Sequence, residues 1–145
     1  MITIQVDSED NEPPPLQLPV IRSLISTVLG EHKVDDAHIQ LVFSTEERLR
    51  QLKIDFFHED AYTDVIAFNL NESHEPLEGE IYISSARARE NSVKYEVSHL
   101  NELQRLVVHG TLHLLGHEDS SPEARQVMRA TEDRILQAAS EGPVE

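Results

Sequence analysis

Leu106-Val107-Val108-His109-Gly110-Thr111-Leu112-His113-Leu114-Leu115 runs for ten residues without one formal charge. A helix of this composition is apolar nearly all round, so it belongs in the interior with other elements packed about it. His109 and His113 stand four apart. On a helix that is about 40° of rotation and roughly 6 Å of rise, which sends both imidazoles from one face. Such a pair can grip one metal ion. An isolated His-x-x-x-His is as well read as two core histidines bonded to carbonyls, but here Gly116 interrupts the helix and His117-Glu118-Asp119 follows at once. A turn at the glycine returns ligand-type side chains toward the pair.

Two residues compete for the third ligand. His117 continues the four-residue series but lies beyond the glycine. Asp119, ten residues after His109, has the reach of a chain that turns at Gly116, as in the His-x3-His-x2-Gly-x2-His zinc pattern, and is preferred. Three protein ligands without a thiolate leave a fourth position for water, as in catalytic rather than structural zinc sites. A helical zinc peptidase carries its general base directly after the first histidine. Here that residue is Gly110, which argues against peptide or other small-substrate hydrolysis.

Working outward, Ile2, Ile4 and Val6 alternate with polar residues and predict a strand. Asp7 to Pro15 is a loop. Pro19 suits a first helical turn, followed by Ile21, Leu24, Ile25, Val28 and Leu29 at helical spacing, with Gly30 placed to help end the helix. Ile39, Leu41 and Phe43 predict a second strand, and Ser44-Thr45-Glu46-Glu47 a capping box before a short helix with Leu49 and Leu52. Val65–Phe68 and Ile81–Ile83 predict a hairpin across a long polar loop containing Asn69, Asn71, Ser73, Pro76 and Gly79. Ser84-Ser85, Ser98 and Ser120-Ser121-Pro122 then cap three helices. The last presents Ala124, Val127, Met128, Thr131, Ile135 and Leu136 on one face. The expected fold is α+β: a small mixed sheet of about four strands packed by about five helices, with the metal site on a central core helix.

Length and charge bound the function. At 145 residues the chain is read as one domain, residues 1–139, with a frayed tail from Ser140 to Glu145. Twelve Lys and Arg against 27 Asp and Glu give a formal charge of -15, which excludes a broad basic surface for duplex nucleic acid or an anionic membrane. Arg48, Arg50 and Lys53, and Arg87, Arg89 and Lys94, are local cationic clusters, read as solvated helix faces or as a small groove with shallow salt dependence. The absence of cysteine excludes disulfides and thiolate metal sites. No run approaches the roughly 20 apolar residues of a membrane span, and no basic leader opens the chain, so a soluble cytoplasmic protein without a membrane partner is expected.

The string His109-Gly110-Thr111-Leu112-His113-Leu114-Leu115-Gly116 with Asp119 resembles the YbeY family signature H-G-x-L-H-L-x-G-Y-D-H. Thr63-Asp64-Val65-Ile66-Ala67-Phe68 resembles that family's P-T-D-V-L-S-F block, and Gly79-Glu80-Ile81 its G-D-I strand. The resemblance implies a metal-dependent hydrolase: a zinc-dependent, single-strand-specific endoribonuclease of the bacterial cytoplasm that matures the 3′ end of small-subunit (16S) rRNA and serves ribosome quality control. Its partners would be single-stranded RNA, the small subunit and assembly proteins. One Zn²⁺ would be held by His109, His113 and Asp119, the last in place of a family histidine, while His117 stands at the family's tyrosine. The extra carboxylate makes the site one unit more negative and the metal a weaker Lewis acid. The family's active-site arginine falls on Phe57 and its proline on Tyr62. His58 and Lys53 are the nearest cations in sequence, but neither offers the bidentate fork of arginine. Thr63 and Asp64 read as turn residues or as partners orienting a ligand histidine. A ribosome-assembly binding module, with a metal that staples the helix to its loop and little catalysis, is the alternative.

Overall fold

The computed structural model describes residues 1–9, 11–71 and 76–140. Its elements run β1 (Ile2–Ser8), α1 (Leu18–Glu31), β2 (Ala37–Ser44), α2 (Glu46–Phe57), β3 (Val65–Asn69), β4 (Leu77–Ser84), α3 (Ser85–Lys94), α4 (His99–Leu114) and α5 (Pro122–Ser140). The strands form one sheet in the order β1-β2-β4-β3. β1 and β4 both run parallel to β2, and β3 is antiparallel to β4 as the outer strand. The α+β class and mixed sheet read from the sequence are the ones observed.

Alternation decides which face of the sheet is buried. Ile39, Leu41 and Phe43 pair in register with Gly79, Ile81 and Ile83, and all the apolar ones among them are fully buried. They share a core with α1, α4 and α5, to which Val65 and Ala67 of β3 add their side chains. The opposite face carries a smaller cluster: Leu49 and Leu52 of α2 over Ile66, with Phe68 and Tyr82 against it. Helices therefore crowd one face, and α4 packs against β3 and β4 on one side and against α1, α3 and α5 on others. The uncharged stretch read as a core helix is that helix.

α4 approaches β4 closely because glycine faces the strand. A Cβ added at Gly110 would stand 2.6 Å from Ile81 Cγ2 and 3.3 Å from Val65 Cγ2. One at Gly79 would stand 2.7 Å from Leu114 Cδ2. Both contacts are closer than packed carbons tolerate. At Gly79 the terminal methyls of Leu114 would have to turn aside, while at Gly110 the clash is with a methyl on the stiff β-branched carbon of Ile81, so the helix lies where it does because Gly110 carries no side chain.

Several local expectations are corrected. Gly79 belongs to β4 rather than to the loop, for the packing reason just given; Ser73 lies outside the described residues. Gly30 is inside α1, and the chain leaves that helix through Lys33 at φ 58°. Thr45, not Ser44, caps α2 by accepting from the Arg48 amide, so Glu47 is one residue short of the reciprocal position and accepts instead from the Tyr62 hydroxyl at 2.6 Å. Ser84 and Ser98 cap α3 and α4 as read, and Ser121 accepts from the Ala124 amide at the start of α5. On α5 Met128 and Ile135 are buried, but Val127 is exposed and Glu132 takes a buried place on the stripe. Ser140 still belongs to α5, and the rest of the expected tail lies outside the described residues. Among the described residues no helix is long and apolar enough to cross a membrane.

Candidate metal centre

α4 ends in a turn that brings its following loop back on itself. Gly116 adopts φ 94°, its amide donates to the His113 carbonyl at 3.0 Å, and the His117 amide donates to the Leu112 carbonyl at 3.1 Å. These are the two bonds of a Schellman motif, with glycine at the left-handed position. The turn returns Asp119 to the face that carries His109 and His113. His109 Nε2 lies 2.9 Å from His113 Nε2 and 3.2 Å from Asp119 Oδ2, which is 3.6 Å from His113 Nε2.

The three donor atoms lie within 4.8 Å of one another and could hold a metal ion. Tetrahedral ligands about 2.0–2.1 Å from a zinc ion stand roughly 3.3–3.4 Å apart, and the observed separations bracket that value. His117 is not among them. Its Nε2 meets His32 Nε2 at 2.7 Å, while His32 Nδ1 reaches the Val28 carbonyl at 2.8 Å. If His32 donates through Nδ1, its Nε2 accepts from His117. Those bonds tie the loop after α4 to the end of α1.

The orientation of His109 has a cause that sequence reading missed. Glu132 of α5 takes Nδ1 at 2.5 Å through one oxygen and accepts from Arg105 Nη1 at 3.0 Å through the other. Arg105 also donates to Asp133. With Nδ1–H committed to the carboxylate, the Nε2 lone pair faces the site, the arrangement by which a buried carboxylate fixes the tautomer of a metal-binding histidine. The available signal was Glu132 itself, a charge four residues after Met128 and three before Ile135 on an otherwise apolar stripe.

The same contacts set the charge states. Burial works against the imidazolium of His109, but the hydrogen bond and charge of Glu132, with Asp119 and Asp64 behind it, outweigh burial and raise its pKa. His113 moves the other way: burial and the neighbouring His109 lower its pKa, keeping it neutral and free to donate its lone pair. Replacing Glu132 by Gln removes the anchoring charge and leaves Arg105 half-paired. Affinity for Zn²⁺, measured by competition with a chromophoric chelator, is expected to fall about 10–100-fold; an unchanged affinity would refute the orienting role.

A cleft of about 350 Å³ opens onto the three residues, walled by Lys53, Phe57 and the segment Thr63 to Ala67. Phe57 is half-exposed and stacks on Phe68 with centroids 5.8 Å apart. Lys53 is 5.7 Å from the Phe57 ring centroid and pairs with Glu59, so no guanidinium stands at this wall. His58 is the left-handed cap of α2. The Thr63 hydroxyl makes a 3.5 Å contact to the Val65 carbonyl. Asp64 accepts from Asn91 at 2.8 Å, so the orienting part considered for it is taken by Glu132. Most members of the cationic clusters are paired internally: Arg48 with Glu9, Arg50 with Asp60, and Arg87 with Glu46 and Glu90. The position after His109 faces Ile81 and has no room for the glutamate of a peptidase.

A family model described as Endoribonuclease YbeY matches residues 5–140. A curated relative from Cytophaga hutchinsonii bearing that name is 34% identical over 134 residues, covering 92% of this chain and 94% of the relative. Another from Geobacillus thermodenitrificans is 35% identical over 149 residues, covering 93% and 96%. The solution structure of TM1509 from Thermotoga maritima matches with a TM-score of 0.59 at 24% identity, covering 97% of this chain and 94% of that one, a likeness of fold.

Proposed function

The chain belongs to the YbeY endoribonuclease family, and on that premise we propose that it is a zinc-dependent, single-strand-specific endoribonuclease that processes the 3′ end of small-subunit rRNA and takes part in ribosome quality control in the cytoplasm. His109, His113 and Asp119 hold the ion, and RNA, the small subunit and its assembly proteins are the partners. The observation that carries the reading is the convergence of three donor atoms at the mouth of a cleft, with Glu132 holding His109 in the binding tautomer. When bound, the ion supplies a Lewis acid to the scissile phosphate and lowers the pKa of water.

The chain's own residues do the rest. Glu132, secured by Arg105, holds Nδ1 of His109 so that the ring cannot swing away from the centre. Asp119 adds a negative charge that two imidazoles and a third histidine would not, so the centre holds a cation firmly but polarises a phosphate less. Phe57 offers a face to a base rather than a fork to a phosphate, so the positioning of the RNA falls to other cations of the chain.

That same Phe57 favours the second reading, a ribosome-assembly binding module whose metal ties α4 to its loop. Chelation separates the two. Metal-loaded protein is expected to cut a single-stranded RNA and to lose that activity on chelation while its far-ultraviolet circular dichroism stays helical. Unfolding on chelation with no cleavage beforehand would establish the module, and cleavage that persists without metal would contradict the proposed chemistry.

A further inference from the structure

A second cleft, also of about 350 Å³, shares Asp64, His109 and Asp119 with the first and lies between α3, α4 and α5. The metal centre is thus the common wall of two clefts, the arrangement a strand needs in order to pass over it with a nucleotide on either side. The size falls within the usual range of about 300–1,000 Å³ for ligand pockets.

Its lining is divided by charge. The rim holds Tyr95, the residue that caps α3, with Arg125 and Arg129 of α5. Arg129 and Lys94 each stand 5.4 Å from the centroid of the Tyr95 ring, which is about half exposed. Arg125 and Arg129 are four apart and so share a helix face. Among the described residues Arg125 reaches only the Asp119 carbonyl, at 3.4 Å. Neither arginine, nor Lys94, forms an ion pair among the described residues, and Arg22, Lys33 and Arg89 form none either, whereas Arg48, Arg50, Lys53, Arg87, Arg105 and Arg134 all do. What sets Lys94, Arg125 and Arg129 apart in a chain of charge -15 is their grouping: Lys94 and Arg129 meet on one aromatic ring, and Arg125 and Arg129 line the same cleft beside the centre. The floor is acidic: Asp64 bonded to Asn91, and Glu102 buried behind it. Burial, with the charge of Asp64 adding to it, raises the pKa of Glu102, as expected of carboxyls crowded in one wall.

A phosphate cannot settle on that floor, and an amino group can. We propose that this cleft is a nucleotide subsite: a base stacks on Tyr95 with its amino edge toward Asp64 and Glu102, and its flanking phosphates lie on Arg125, Arg129 and Lys94. Carboxylates accept from the exocyclic amine of cytosine, as they do in base readout elsewhere, whereas uracil presents a carbonyl at that position. Stacking on the exposed ring supplies affinity, and Arg129 and Lys94, long and flexible, turn from the ring to the backbone. The subsite therefore favours amino-bearing bases over uracil. This inference rests on RNA being the substrate.

The test uses the full chain with metal withheld and fluorescein-labelled ten-residue oligocytidine and oligouridine, read by anisotropy, and then the metal-loaded chain cleaving a mixed-sequence single strand. Tyr95→Ala is expected to weaken oligocytidine binding about fivefold or more and to raise KM similarly with little change in kcat, and Tyr95→Phe to restore both. Arg129→Ala is expected to reduce the salt slope by about one, while Arg22→Ala on α1 leaves it unchanged. Oligocytidine is expected to bind more tightly than oligouridine. Binding and KM indifferent to Tyr95→Ala, tighter binding of oligouridine, or no binding of either probe would overturn the subsite. Binding through Tyr95 without any cleavage by the metal-loaded chain would support the subsite and overturn the nuclease reading, so the two fail separately.

Discussion

His113→Ala is expected to leave a folded protein that binds no zinc at this centre and has lost single-strand cleavage. The side chain is about one-third exposed at the cleft, and alanine is the better helix former, so stability should stay within about 0.5 kcal/mol of the parent. Activity should not. Loss of a partner behind a ligand costs about 10–100-fold in metal affinity or rate, and loss of one of only three ligands should exceed that. Cleavage equal to the parent at saturating metal would remove His113 from the mechanism. His117→Ala is the matched control. Its ring is turned to His32, so the variant is expected to keep its metal.

The second large effect concerns Gly110. A methyl at this position enters the space of Ile81 and Val65, and overpacking of this kind costs about 1–3 kcal/mol, against about 1 kcal/mol gained from helix propensity. Gly110→Ala is therefore expected to lower the urea midpoint modestly. Gly110→Glu adds a buried, unpaired carboxylate to the clash, and an uncompensated buried charge costs about 3–5 kcal/mol. That is much of the stability of a chain this size, typically about 5–15 kcal/mol, and the variant is expected to be unfolded or insoluble. Recreating the peptidase pattern thus destroys the fold rather than conferring peptidase activity. A Gly110→Glu protein with the parent's urea midpoint would show that α4 can move off β4.

What could be read from the sequence follows from which interactions are local. Helix α4 and its histidines were legible because an uncharged run admits few alternatives and because i, i+4 geometry is fixed by the helix. The return of Asp119 was legible because glycine at a left-handed position turns the chain within three residues. The hairpin of β3 with β4 followed from two short apolar runs, but Gly79 was misread as a loop residue because its reason for being glycine is Leu114, thirty-five positions on. Glu132 was missed for the same kind of reason. Nothing near it in sequence shows that Arg105 and His109 await it across the helix interface. The cationic clusters were visible, yet the pairing of Arg48, Arg50, Lys53 and Arg87 with acids was not. Arg125 and Arg129, which form no ion pair among the described residues, give no cluster signal in the sequence because they stand singly, between Ala124 and Gln126 and between Met128 and Ala130.

The central claim is that His109, His113 and Asp119 hold one zinc ion, and crystals grown with Zn²⁺ test it by anomalous scattering at the zinc edge. The prediction is one strong peak on the line of approach of His109 Nε2, His113 Nε2 and an Asp119 oxygen, about 2.0–2.2 Å from each. No peak there, or a peak held instead by His32 and His117, would contradict it.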